Sequence, residues 1–171
     1  MIEMLVSELI EREGGFVNHP DDTGGATNMG ITLLTLSNWR NWDCTTDDIE
    51  NLTYEEASDI YLSEYWDEPK LSNLNVELVV LEMLFDAAVH HGPARSIKLL
   101  QKAAGVTTDG VIGPQTRAAV NQIDPVKLAA YLIAARVAYI GSIITASPKQ
   151  AAFAAGWANR MEEMIKKIAE I

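Results

Sequence analysis

Cysteine occurs once in this chain, at Cys44, so no disulfide can form within it and stability has to come from packing. The isolated thiol is read as inert. Basic residues are scarce: 13 lysines and arginines stand against 24 aspartates and glutamates, a formal net charge of -11. That balance argues against nucleic acid or an anionic lipid surface as a partner through bulk electrostatics, while leaving room for a local basic cleft. Long polar, low-complexity or Pro/Ser-rich runs are missing too, so the chain is expected to be ordered throughout. The start lacks the basic residues and apolar centre of a secretory signal and carries Glu3, Glu8 and Glu11 instead, which reads as cytoplasmic. Nor is there a clean spanning run. The most apolar stretch, Leu128 to Ala146, contains Arg136 and Gly141 and follows Lys127, so it is read as a buried helix whose arginine finds an acid partner, not as a stable membrane insertion.

What is present fits one well-buried core, or a core with a small helical lobe attached: 171 residues with 48% hydrophobic character. Ile2, Leu5, Val6, Leu9 and Ile10 form one stripe at helical spacing over residues 2 to 13, and Gly14-Gly15 stops that helix. No helical period follows from Phe16 to Thr32, where short extended pieces, "FVNH" and "NMGIT", predict a small hairpin or three-strand ribbon around a "PDDTGG" turn. Then come a short helix near Thr35 to Trp42, a loop through "DCTTDD", and a helix from about Tyr54 to Trp66 with capping-box spacing between Thr53 and Glu56. Residues 76 to 91 are apolar all round and predict a central core helix; Gly92-Pro93 ends it and starts another to Ala104. Further helices are predicted from Pro114 to Ile123, from Pro125 to about Ala146, and from Pro148 to the end. The layout is an α+β chain, mostly α: an N-terminal helix, a small β ribbon, then six or seven helices.

The chemistry gathers in "EGGFVNHPDDTGGATNMGIT", residues 13 to 32. Glu13 sits on the last turn of the first helix, where the negative end of the helix dipole favours a carboxyl that keeps its proton. Asp22 follows nine positions later in a turn that doubles back, and Thr27 five after that. Glycosidic hydrolysis needs one protonated carboxyl to deliver a proton to the leaving oxygen and one ionised carboxylate to activate water or stabilise the oxocarbenium-like transition state. A threonine hydroxyl can hold that water. Asp21 is the rival of Asp22, because adjacent carboxylates in a turn point to different sides. The structural alternative is plain: a helix stop, Asx-turn residues and a strand threonine, with even odds on spacing alone.

The same stretch resembles the signature of glycoside hydrolase family 108, N-acetylmuramidases of bacteria and phages that cut peptidoglycan, and its order Glu, Asp, Thr is similar to that of phage-type lysozymes. "FDAAVHHGPARSIKLLQKAAGVTTDGVIGPQTRAAV" and "FAAGWANRM" resemble the family's C-terminal region, described as a predicted peptidoglycan-binding domain. Carried over by position, Glu13, Asp22 and Thr27 match the catalytic set. His19 and His90 depart from the family's pattern outside that set, standing where aspartate and asparagine are more usual. The resemblance implies a single lysozyme-like domain over residues 1–171, with a catalytic lobe at 1–70 and a helical lobe at 71–171. It implies an endolysin that hydrolyses the β-1,4 bond between N-acetylmuramic acid and N-acetylglucosamine, held in the host cytoplasm until released. Bacterial peptidoglycan is then the partner, no cofactor and no metal are called for, and a monomer is expected. A lytic transglycosylase on the same bond and a non-catalytic wall-binding module are the alternatives. Carboxyl separation decides the stereochemistry, about 6.5–9.5 Å for inversion against about 5 Å for retention, and the phage-type likeness favours inversion.

Glu82, Asp86 and His90 share one face of the central helix at i, i+4 spacing. A metal can use such spacing, but pairing of Asp86 with Arg136 or Arg160 is the stronger expectation. Tyr61, Tyr65, Trp66 and Trp157 are candidates for stacking on sugar faces, with core packing the default for each. "TTDGVIGPQT", residues 107 to 116, is similar to the loop of small peptidoglycan-binding modules and is equally an Asp-Gly turn before a proline-started helix, the role favoured here.

Overall fold

The computed structural model describes residues 2–18 and 25–170. The chain forms two compact units, Met1–Glu64 and Tyr65–Ile171. In the first, helix α1 (Ile2–Glu13) buries Leu5, Val6, Leu9 and Ile10, the stripe that its spacing predicts. Strands β1 (Thr27–Asn28) and β2 (Ile31–Thr32) pair antiparallel, Thr27 opposite Thr32 and Asn28 opposite Ile31. Val17 adds an antiparallel bridge to Thr27, with hydrogen bonds of 2.8 and 2.9 Å in the two directions, so the predicted three-strand ribbon is present in miniature. Helices α2 (Leu33–Arg40), α3 (Thr46–Glu50) and α4 (Tyr54–Leu62) complete the unit, and α4 packs on α1. A π-helical turn, Ser63–Asp67, follows α4.

Helix α3 replaces part of the loop expected at "DCTTDD". Its start is a full capping box: the Thr45 side chain accepts from the Asp48 amide, and Asp48 accepts from the Thr45 amide at 2.8 Å. At Thr53 and Glu56 only half of the expected box forms. Thr53 accepts from the Glu56 amide, but the Glu56 carboxylate takes both Nε and Nη2 of Arg40 instead, at 2.8 and 2.6 Å. A bidentate guanidinium outcompetes a single amide for a carboxylate.

The second unit is built on α5 (Leu78–His91), buried along most of its length as an all-round apolar helix must be. Helices α6 (Pro93–Ala103), α7 (Pro114–Val120), α8 (Pro125–Ala146) and α9 (Ala154–Ile168) follow, with α8 packed on α5, α6 and α9. Proline opens α6, α7 and α8, where its missing N–H costs nothing. The stretch after Pro148 begins as a 3-10 segment to Phe153 before α9 starts. Eight α-helices thus follow the hairpin among the described residues, the added one being α3.

Helix α8 is long and apolar enough to cross a membrane by length and composition. Its central Arg136 is fully buried and donates from Nη2 to Asp86 Oδ2 of α5 at 2.8 Å. Arg160 of α9 reaches the same carboxylate, Nη2 to Oδ1 at 2.8 Å and Nε to Oδ1 at 3.0 Å. Burial opposes ionisation of Asp86, but the two guanidinium charges outweigh it and hold the carboxyl below its ordinary value. Three helices are thereby tied at one buried point.

Candidate active site

Glu13 is the last residue of α1 and is exposed. Gly14 follows at φ 80°, a left-handed conformation that turns the chain off the helix axis, and its amide still reaches the Ile10 carbonyl at 3.2 Å. Only glycine takes that geometry without strain, which is why the helix stops behind the glutamate.

The β1–β2 turn comes up against the glutamate's stem. Met29 and Gly30 both have positive φ, 51° and 76°, the signature of a type I′ hairpin turn. A Cβ on Gly30 would stand 2.9 Å from Glu13 Cγ and 3.0 Å from Glu13 Cβ, and would collide with the Tyr61 hydroxyl. Tyr61, buried in α4, donates that hydroxyl to the Met29 carbonyl at 2.9 Å. The buried Asn28 amide donates to the carbonyls of Ile49 at 3.0 Å and Glu50 at 3.2 Å, binding β1 to the end of α3. The turn is therefore fixed from two sides, and the stem of Glu13 lies against it where a side chain is missing. Thr27, half-exposed, lies two residues before the turn and is flanked by Val17 and Thr32.

Of the residues predicted from sequence, Glu13 ends α1 beside Gly30 of the β1–β2 turn, and Thr27 stands in β1. Asp22, its rival Asp21, and His19 lie outside the described residues. Gly25, at the far end of that stretch, has φ 74°. Gly30 is not among the residues that the sequence singles out, and Tyr61, a candidate there for stacking on sugar with core packing as the default, is buried and holds the turn. The signal for Gly30 was present in "NMGIT", a glycine between two strand pieces; for Tyr61 nothing in the sequence distinguishes a hydroxyl that locks a turn from one that faces a sugar.

In the second unit Trp66 is buried edge-on to Phe85, a core role. Trp157 is half-buried between His90 and Phe153, with ring centroids at 6.2 and 6.0 Å. Asp86 is committed to its two arginines, and Glu82 to Lys167 at 3.1 Å. Among the described residues no group of three or more histidine, cysteine or acidic side chains is placed to hold a metal. The loop of residues 107–116 is fastened by buried Gln101, whose Nε2 donates to Asp109 Oδ1 at 2.6 Å, the Val111 carbonyl at 3.0 Å and Thr116 Oγ1 at 3.1 Å. Its Oε1 accepts the Gly110 amide at 2.8 Å. The structural reading of that loop accounts for each of these contacts.

Comparison with known proteins divides the chain after α5, later than the division between the two compact units. Residues 6–92 match the family described as Glycosyl hydrolase 108, and residues 95–162 match the Predicted Peptidoglycan domain. Among solved structures, that of Brucella abortus SagA is similar at 36% identity and a TM-score of 0.85, covering 98% of this chain and 92% of that one. A search of curated proteins returns no match.

Proposed function

We propose, because this chain belongs to glycosyl hydrolase family 108 and is a peptidoglycan hydrolase, that it cleaves the β-1,4 bond between N-acetylmuramic acid and N-acetylglucosamine with Glu13 as general acid. The observation that supports this reading is the placement of Glu13: an exposed carboxyl at the end of α1, its aliphatic stem against the Gly30 turn, where a general acid can reach a substrate oxygen. In the proposed reaction Glu13 protonates the glycosidic oxygen as the bond to the anomeric carbon breaks. Asp22 stabilises the developing positive charge or takes a proton from the attacking water, and the Thr27 hydroxyl holds that water or the substrate. The likeness to phage-type lysozymes extends the proposal to the role of an endolysin.

Digestion of purified cell wall by wild type, Glu13→Gln and Asp22→Asn tests it. Glu13→Gln should lower the rate by about 10²–10⁴-fold, the range for loss of a general acid. Asp21→Asn beside Asp22→Asn identifies which turn carboxylate acts. Undiminished lysis by the glutamine variant would refute the assignment. Mass spectrometry of the fragments should show hydrated muramic termini; anhydro termini would replace hydrolysis by transglycosylation.

A further inference from the structure

The second unit carries a cationic cavity in a protein whose net charge is -11. It is an open surface depression of about 350 Å³, walled by His91, Gly92, Ala94, Arg95, Lys98 and Tyr139, among others. The Arg95 guanidinium lies 4.6 Å above the Tyr139 ring, a stacking contact that fixes its plane while leaving its N–H edge available. Lys98 follows three positions on, so the two cations share one face of α6. Among the described residues neither forms an ion pair. Asp109, which feels the charge of Lys98, accepts from Gln101 and from the Val111 amide at 2.9 Å, and so is engaged by its own loop.

Two further features belong to the same place. Helix α6 begins at Pro93 without any side-chain cap, and Ser96 is the first residue whose amide bonds back, to Gly92, which leaves the Ala94 and Arg95 amides for another acceptor. The Nε2 atom of His91 is buried and has no hydrogen-bond partner. The two cations and the free amides around one depression call for an acceptor-rich anion, while the His91 ring, kept neutral by burial, adds no charge to it.

We infer that this cavity binds a carboxylate of the peptide stems of peptidoglycan, with Arg95 and Lys98 as its principal contacts. The inference rests on the reading that the chain acts on peptidoglycan; the match to the peptidoglycan domain begins at Arg95 and includes Lys98 and Tyr139. Peptide stems are the carboxylate-bearing part of that polymer, and a stacked guanidinium presents two parallel donors that fit a planar carboxylate. Such a grip would seat the wall polymer through its peptides while the glycan is cut elsewhere.

The test is calorimetric titration of the full-length protein with a synthetic stem pentapeptide as free acid, with the same peptide with its carboxyls amidated, and with inorganic phosphate. The free acid should bind wild type at least tenfold more tightly than the amide, and the double variant Arg95→Gln/Lys98→Gln should lose at least tenfold. A charge-matched control, Lys127→Gln/Lys149→Gln, should bind as wild type does, and Arg95→Lys should recover part of the loss. Equal binding of acid and amide, equal binding by the double variant, or no binding to wild type would overturn the inference. Phosphate binding tighter than peptide would overturn the carboxylate assignment in favour of a phosphate-bearing wall polymer. No bond is cut in these titrations, so they stand apart from the Glu13 proposal, which hydrolysis of peptide-stripped glycan tests by itself.

Discussion

Replacing Gly30 by alanine probes the clamp on Glu13 directly. The new Cβ meets two penalties. A non-glycine residue at φ 76° carries about 1–2 kcal/mol of backbone strain. The Cβ also collides with the Tyr61 hydroxyl, and if Tyr61 swings away the Met29 carbonyl loses its partner, worth about 1–3 kcal/mol. The sum is about 2–5 kcal/mol, a large share of the roughly 5–15 kcal/mol that holds a domain together. Gly14 separates the two terms, because it has φ 80° but nothing within 4 Å of a built Cβ, so Gly14→Ala should cost only the strain, about 1–2 kcal/mol. Gly15, open and without a positive φ, should tolerate alanine with a change near zero or a gain below about 1 kcal/mol. Urea unfolding followed by circular dichroism and tryptophan fluorescence gives all three values. Wall digestion on the same samples should fall most for Gly30→Ala, since the new methyl group also pushes on Glu13 Cγ. Adding Tyr61→Phe removes the colliding oxygen and should make the double change less costly than the two single ones together. If Gly30→Ala unfolds no earlier than Gly14→Ala, the turn does not press on the glutamate and the clamp is wrong.

Two further perturbations concern the second unit. Asp86→Asn leaves the buried Arg136 and the half-buried Arg160 without their anion and should destabilise the unit by about 3–5 kcal/mol in thermal or urea unfolding, whereas a loss below about 1 kcal/mol would show the triad to be solvated. His90 and His91 are held at about 4 and about 3, chiefly by burial, with Arg160 next for His90 and its ring neighbour His90 next for His91. Their folded values lie below the ordinary 6.5, so the stability they contribute is complete above that pH and declines as pH falls through 6.5 toward 4, because the unfolded chain takes up protons first. The ceiling is about 1.4 kcal/mol per pH unit for each, and solvent screening of these half-buried rings keeps the slope below it. Melting temperature measured from pH 7.5 to 4.5 should therefore drop in wild type and flatten in His90→Asn/His91→Asn, while Asp86 adds its loss only below its ordinary 3.8. Equal slopes in both proteins would contradict burial as the cause.

Local rules in the sequence determined a good deal of this protein. The stripe from Ile2 to Ile10 fixed α1, Gly14 fixed where it stops and so where Glu13 stands, and Pro93, Pro114 and Pro125 fixed three helix starts, because helical period, left-handed glycine and proline's locked φ act over a few residues. The acid partner of Arg136 was legible for the same reason that buried charges rarely stand alone, though the sequence left open which arginine would meet Asp86 and the fold uses both. What the tertiary structure decided is where distant groups compete for one place. Arg40 took the carboxylate that Thr53 needed for its box, Tyr61 reached across 32 positions to lock the Met29 turn, and Gly30 proved to be the gap that receives the stem of Glu13. Arg95 and Tyr139 came together from different helices to wall a cationic cavity that a chain of net charge -11 does not advertise. Contacts of that kind depend on close packing between elements far apart along the chain, and no local pattern encodes them.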